Sequence, residues 1–153
     1  MVPLVSPDLD RYLIERLPER NPVIAEMEAF ARERDVPIVG PVVATLLAIL
    51  ARSIGARRVC ELGSAIGYST AYFAQAVGPD GSVLYTDGNE KNARRARSYL
   101  DRLNLSDRVD FRVGEAVGIL ETTSGDFDVV FIDIDKDGYP RALDAAAPRV
   151  RPG

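Results

Sequence analysis

Acidic side chains close four short segments of this sequence, and their neighbours decide what chemistry each could do. In Glu61, Leu62, Gly63, Ser64, Ala65, Ile66, Gly67, Tyr68, Ser69, a glycine loop separates an apolar run from a helical pattern. Such a loop lets backbone approach a ligand, and the amides that open the helix favour a negative group. The dinucleotide fingerprint GxGxxG is absent, because Ala65 takes the place of its second glycine and Gly63 and Gly67 are wrongly spaced. A bound amino acid suits the loop better, with its ammonium near Glu61 and its carboxylate at Ser69. A tight turn without a ligand has the same sequence.

Asp87 follows the next apolar run, Val83 to Thr86, where a carboxylate can accept from both hydroxyls of a ribose or cap the helix behind it. Gly114, Glu115 and Ala116 follow a third run. Their place suits an adenine, and Glu115 taken singly reads as a solvated carboxylate at the start of a short helix. The fourth segment is Phe131, Ile132, Asp133, Ile134, Asp135, Lys136, Asp137, Gly138, Tyr139. Strand alternation puts Asp133 and Asp135 on one face, where they could share a hard cation such as magnesium, although two carboxylates make a thin cage. Lys136 is one of two lysines, with Lys91, in a chain that otherwise uses arginine. A lysine in a dry site can act as a base, and a surface ion pair with Asp135 or Asp137 is the plainer use.

The rest of the composition narrows the chemistry. The sequence has no histidine, which removes histidine metal sites and Ser-His-Asp triads. Its one cysteine, Cys60, lies in an apolar stretch and reads as a buried structural thiol. A formal charge of −4 over 153 residues gives no broad pull toward nucleic acid, though Arg94, Arg95, Arg97 and Arg102 could form a local patch. The N-terminal residues MVPLVSPDLDRYL show no secretory leader, no apolar run has membrane-spanning length, and the expected location is the cytoplasm.

The elements that must position these residues fall into two sets. Helical spacing predicts helices over 8–17 and 22–34 and a third that starts near Pro41 and runs through Leu50. From Arg57 the pattern alternates. Strands are expected over 58–62, 83–86, 108–113 and 127–132, with helices over 68–77, 90–103 and 140–147. Alternation of this kind predicts an α/β fold with a parallel sheet and crossover helices, the N-terminal helices (1–55) folding onto it within one domain over 1–153. The last strand is apolar throughout, as if covered on both faces, yet the order 3-2-1-4 makes it an edge. Further strands beyond Gly153, or a partner subunit in a homodimer, are therefore expected to cover it.

In order and spacing, ELGSAIGYST, VLYTDGNEKNARRA, RVDFRVGEA and DVVFIDIDKDGYP resemble the cation-dependent O-methyltransferases of the catechol and caffeoyl-CoA type. PIVGPVVATLLAIL resembles that family's approach to its first strand, with Ala44 and Thr45 in place of a frequent Gly-Gln pair. The resemblance covers nearly the whole chain. It implies a Rossmann-like class I methyltransferase fold and S-adenosyl-L-methionine as cofactor. By position it implies that Val39 borders the cofactor, that Glu61, Gly63, Gly67, Tyr68 and Ser69 hold its methionine end, and that Asp87 holds the ribose. Gly114, Glu115 and Ala116 would flank adenine, Asp133 would meet cofactor and a divalent cation, with magnesium the ion expected from this resemblance, and Lys136 would be catalytic. The remaining cation ligands would lie beyond Gly153. The implied reaction moves a methyl group to a hydroxyl of a small catechol-like or phenolic substrate. A tRNA hydroxyuridine as acceptor, or a non-catalytic module that binds cofactor or dimerises, are the alternatives.

Overall fold

A computed structural model describes residues 6–152; the expected leaderless N-terminus and the final turn thus lie in part, at Met1–Val5 and Gly153, outside the described residues. Three helices lead the chain: α1 (Pro7–Arg16), α2 (Pro22–Arg34) and α3 (Gly40–Ser53), each with proline in its first turn. That proline costs no hydrogen bond there and presets the helical φ. The Ser6 and Asn21 side chains cap α1 and α2 by accepting from Asp8 N and Val23 N.

Strands and helices then alternate: β1 (Arg58–Leu62), α4 (Tyr68–Ala76), β2 (Ser82–Asp87), α5 (Glu90–Arg102), β3 (Val109–Val113), α6 (Ala116–Thr122), β4 (Val129–Ile132) and α7 (Tyr139–Ala146). All pairings are parallel and the order is β3-β2-β1-β4, as expected. Two differences stand out. The seven-residue α6 is not among the helices that periodicity predicts, although Glu115 taken singly reads as the start of a short helix, because seven residues hold less than two full helical periods. Phe127 precedes β4 rather than opening it, and pairs instead with Val150 as an isolated parallel bridge.

Strand alternation sends neighbouring residues to opposite faces. Val59, Val83 and the rings of Tyr85, Phe111 and Phe131 face α2 to α5, while Cys60, Leu62 and Leu84 face α6 and α7 with Leu120, Phe127 and Ala142. Cys60 is fully buried, as its surroundings predicted, and burial pushes its thiol up to about 12. Central β1 is thus covered on both sides. β4 is not: all four of its residues are only half-buried, which is what an edge position leaves of an apolar strand. On α3, Val43, Leu46, Ile49 and Leu50 are exposed large apolar residues. Among the described residues no helix is long and apolar enough to cross a membrane.

Candidate functional site

The carboxyl ends of the strands open onto a crevice in two lobes, in the position where open parallel sheets bind ligands. One lobe, about 420 Å³, is lined by Ile38, Val39, Gly63, Ser64, Ala65, Tyr68, Ser69 and Asp133. The other, about 290 Å³, is lined by Gly88, Gly114, Glu115, Ala116 and Gly138. Gly63, Asp87, Ile134 and Asp135 border both, so the lobes are continuous past Asp87.

The loop after β1 is shaped by backbone that few residues adopt. Gly63 and Gly67 lie in the left-handed region, with φ of 86° and 80°, and so does the non-glycine Ala65 at 44°. A Cβ on Gly63 would come within 2.3 Å of the Asp133 carbonyl oxygen, so this glycine lets the β4 end approach the loop. Gly67 serves differently. It is buried and absent from both lobes, and a Cβ there would meet the Ala96 Cβ at 2.8 Å, so it admits α5 rather than a ligand. Gly67 is also the N-cap of α4 and has no side chain to offer, which leaves the first-turn amides of Tyr68 and Ser69 without a side-chain partner. Free amides at a helix start accept a carboxylate well.

Glu61 carries the most unusual electrostatics in the molecule. It is fully buried, one layer behind Ser64 and Ser69, rather than in the crevice wall. Thr70 Oγ1 donates a short hydrogen bond to its Oε2. The hydroxyls of Ser64 and Ser69 stand close by, but Oε1 has no hydrogen-bond partner of sound geometry. Burial drives its pKa up, and the three hydroxyls pull it back only in part. A buried carboxylate with an unmet acceptor is costly, and a cationic donor removes that cost.

Asp87 closes β2 between the lobes. Its Oδ2 accepts from Ala65 N at 3.0 Å, and its Oδ1 from Asn89 N at 2.7 Å and Asn92 Nδ2 at 3.1 Å. The helix cap is therefore Asn89, which accepts from Lys91 N, and Asp87 ties the two loops together instead. Oδ1 thereby uses both of its lone pairs, and Oδ2 keeps one for an outside donor. Glu115 lines the second lobe, but its carboxylate turns back to cap α6, accepting from Val117 N at 3.0 Å and Gly118 N at 2.8 Å. Arg141 adds an ion pair at 3.2 Å. The Gly118 amide first, with Val117 and Arg141 behind it, holds this carboxyl below its ordinary range.

Asp133 and Asp135 both line the first lobe, and burial raises the Asp133 pKa. Among the described residues no three His, Cys, Asp or Glu side chains stand close enough to hold a metal ion. Lys136 begins a 3-10 turn (Lys136–Gly138) beside Asp135; it is exposed and is not among the lining residues. No ion pair joins it to Asp135 or Asp137 among the described residues. The arginines of α5 are engaged: Arg94 pairs with Glu90, Arg102 with Glu26, and Arg95 and Arg97 lie over the rings of Phe30 and Phe111. Of the residues expected from the motifs and from the family resemblance, Val39, Gly63, Tyr68, Ser69, Asp87, Gly114, Glu115, Ala116 and Asp133 surround one crevice. Sequence reasoning missed Ile38 and Ser64, whose only signal is adjacency to Val39 and Gly63.

Known proteins match this arrangement. The sequence model of the O-methyltransferase family matches residues 18–153. The chain is 38% identical over 134 residues to a catechol O-methyltransferase of Mycobacterium tuberculosis, a match that takes in 86% of this chain and 61% of that enzyme. It is 35% identical over 99 residues to a caffeoyl-CoA O-methyltransferase of Zea mays, over 61% of this chain and 38% of the relative. The chain therefore spans less than two thirds of either curated relative. Among solved structures, an O-methyltransferase from Streptomyces achromogenes involved in tomaymycin synthesis, in complex with SAM, superposes with a TM-score of 0.87 at 31% identity, covering 95% of this chain and 68% of that one.

Proposed function

This chain belongs to the O-methyltransferase family, and from that premise we propose that it carries the S-adenosylmethionine site of an enzyme that methylates a hydroxyl of a small catechol-like or phenolic substrate. The unpaired Glu61 Oε1 carries the reading. A buried carboxylate behind two serines, next to uncapped helix amides, suits the ammonium and carboxylate of an amino acid and little else of that size. The two-lobed crevice supports the rest: the methionine portion in the lobe of Val39 and Tyr68, the ribose at Asp87, and the adenine in the lobe of Gly114 and Ala116. Because the Glu115 carboxylate is spent on α6, backbone groups of Gly114 and Ala116 rather than this side chain would meet the adenine.

When bound, the cofactor supplies an electrophilic methyl group on a sulfonium. The protein's part is to hold it in line with the acceptor oxygen and to keep water from competing. Asp133 borders the lobe at the strand end nearest this point, and we assign Lys136 Nζ the acceptor's proton. The two carboxylates Asp133 and Asp135 do not fit a divalent cation by themselves. A magnesium ion at Asp133 needs oxygen donors from outside the described residues, and no step here is routed through it. We place the protein in the cytoplasm, a setting that keeps its single buried cysteine, Cys60, as a free thiol.

Calorimetric titration with S-adenosylmethionine, with and without magnesium, tests the proposal. Saturable binding that D87A weakens severely is the expected result. A folded chain that takes up no cofactor overturns it, whereas binding without methyl transfer to any catechol favours the non-catalytic alternative.

A further inference from the structure

The crevice is walled on its methionine side by a ring held from outside the sheet. Tyr68 opens α4, is 2% exposed and lines the first lobe. Its hydroxyl points away from β1 and donates to Glu28 Oε1 at 2.7 Å, a contact between residues forty positions apart that joins α4 to α2. Glu28 is in turn held by Arg20, whose Nε donates to Oε2 at 3.1 Å and lies 3.0 Å from Oε1. The Glu28 side chain is only 12% exposed. On its other flank Tyr68 meets the Tyr72 ring, centroids 5.4 Å apart. Each of these groups is satisfied, and Glu28, Arg20 and Tyr72 lie outside the glycine-loop segment that ends with Tyr68 and Ser69.

We infer that Glu28, oriented by Arg20, is a positioning residue for the cofactor site, acting through Tyr68 to fix the wall of the methionine lobe and the first turn of α4. The inference rests on the reading of that lobe given above. A tyrosine ring has two torsions, and anchoring its far end at a carboxylate removes most of their freedom before the ligand arrives, so less ordering is left to oppose binding. Because the same residue contributes a first-turn amide, its tilt also aims the helix start at the ligand's carboxylate. Burial, with Tyr72 and Glu28 beside it, raises the Tyr68 pKa, so the phenol remains a donor to Glu28 throughout the physiological range. The helical N-terminal segment is then part of the cofactor site as well as a cover for the sheet.

The test is a double-mutant cycle on S-adenosylmethionine affinity, using wild type, E28A, E28Q, Y68F and E28A/Y68F, each checked for folding by thermal melt. E28A should weaken binding about tenfold, and E28Q, which keeps an acceptor, by much less. In the Y68F background, E28A should add almost nothing, because its route to the ligand is already cut. Equal losses in both backgrounds, or wild-type affinity in E28A, overturn the inference; if E28A does not fold, E28L and E28L/Y68F, which also remove the acceptor, complete the cycle with the same criterion. Ring-labelled tyrosine NMR separates this result from a failure of the site reading. Slow Tyr68 ring flips that E28A accelerates, in a chain that binds no cofactor, keep the anchor and sink the cofactor site. Tyr68 signals unchanged by E28A sink the anchor itself.

Discussion

Glu61 and Glu115 are the same residue type near the same edge of one sheet, and their surroundings treat them oppositely. Glu115 is exposed, receives two backbone amides and an arginine, and is held below its ordinary pKa. Glu61 is fully buried, lacks a partner at Oε1, and is pushed above it. A satisfied carboxylate of this kind belongs to the architecture, since its donors are already in the chain. An unsatisfied one marks a place where the fold gives up stability and a ligand can restore it.

The comparison breaks most easily at Glu61. E61Q should weaken S-adenosylmethionine binding on the order of 100-fold or more, since it removes one member of a buried ion pair, while the melting temperature of the cofactor-free protein stays level or rises at neutral pH. Calorimetry beside a thermal melt measures both, and lost binding together with a destabilised free protein would mean that the carboxylate is structural. D87N comes next, with affinity falling about tenfold through a weakened ribose contact and a loosened Ala65 amide. Smallest is E115Q, for which affinity should stay within about threefold and stability should fall by about 1 kcal/mol as the α6 cap weakens. A larger effect of E115Q on binding than on stability would place its carboxylate on the ligand after all.

Titration sharpens the contrast, because the two residues shift with opposite signs. The folded pKa of Glu61 lies above the ordinary 4.5, so its contribution favours the folded free protein below that value and is lost as pH rises through the raised pKa. Cofactor affinity should climb over the same window, as the carboxylate form appears. The folded pKa of Glu115 lies below 4.5, so its contribution is present above that value and lost as pH falls through the lowered one. Denaturation curves of wild type, E61Q and E115Q across about pH 2 to 8 should show each slope vanish with its own residue, that of E115Q below the ordinary carboxylate value and that of E61Q above it.

Much of this was legible in the sequence because strand and helix periods differ and each strand end carries a distinctive residue. The strand order, the glycine loop and the lining role of Asp87 and Asp133 all follow from that pattern. What was not legible is a matter of depth and partners. Glu61 reads as a ligand contact in sequence, but its depth, one layer behind Ser64 and Ser69 with Oε1 unpaired, is something that period-two alternation does not encode. Gly67 reads as part of the ligand cradle, yet its constraint comes from Ala96 on α5. The partners of Arg102 and Arg95 on α5, Glu26 and Phe30, were not legible because they sit on α2, far away in sequence. The anchor of Tyr68 at Glu28 was invisible for the same reason.

Cys60 gives the molecule a built-in reporter. It is the only cysteine in the chain, is fully buried, and precedes Glu61 on β1 with its side chain on the opposite face. With its thiol held near 12, it should ignore alkylating reagents in the closed state and react only when β1 leaves the sheet. The labelling rate therefore clocks the opening of the strand that carries the unpaired carboxylate. Any ligand that settles on Glu61 should slow that clock in proportion to its occupancy, without a tag, a dye or a second cysteine.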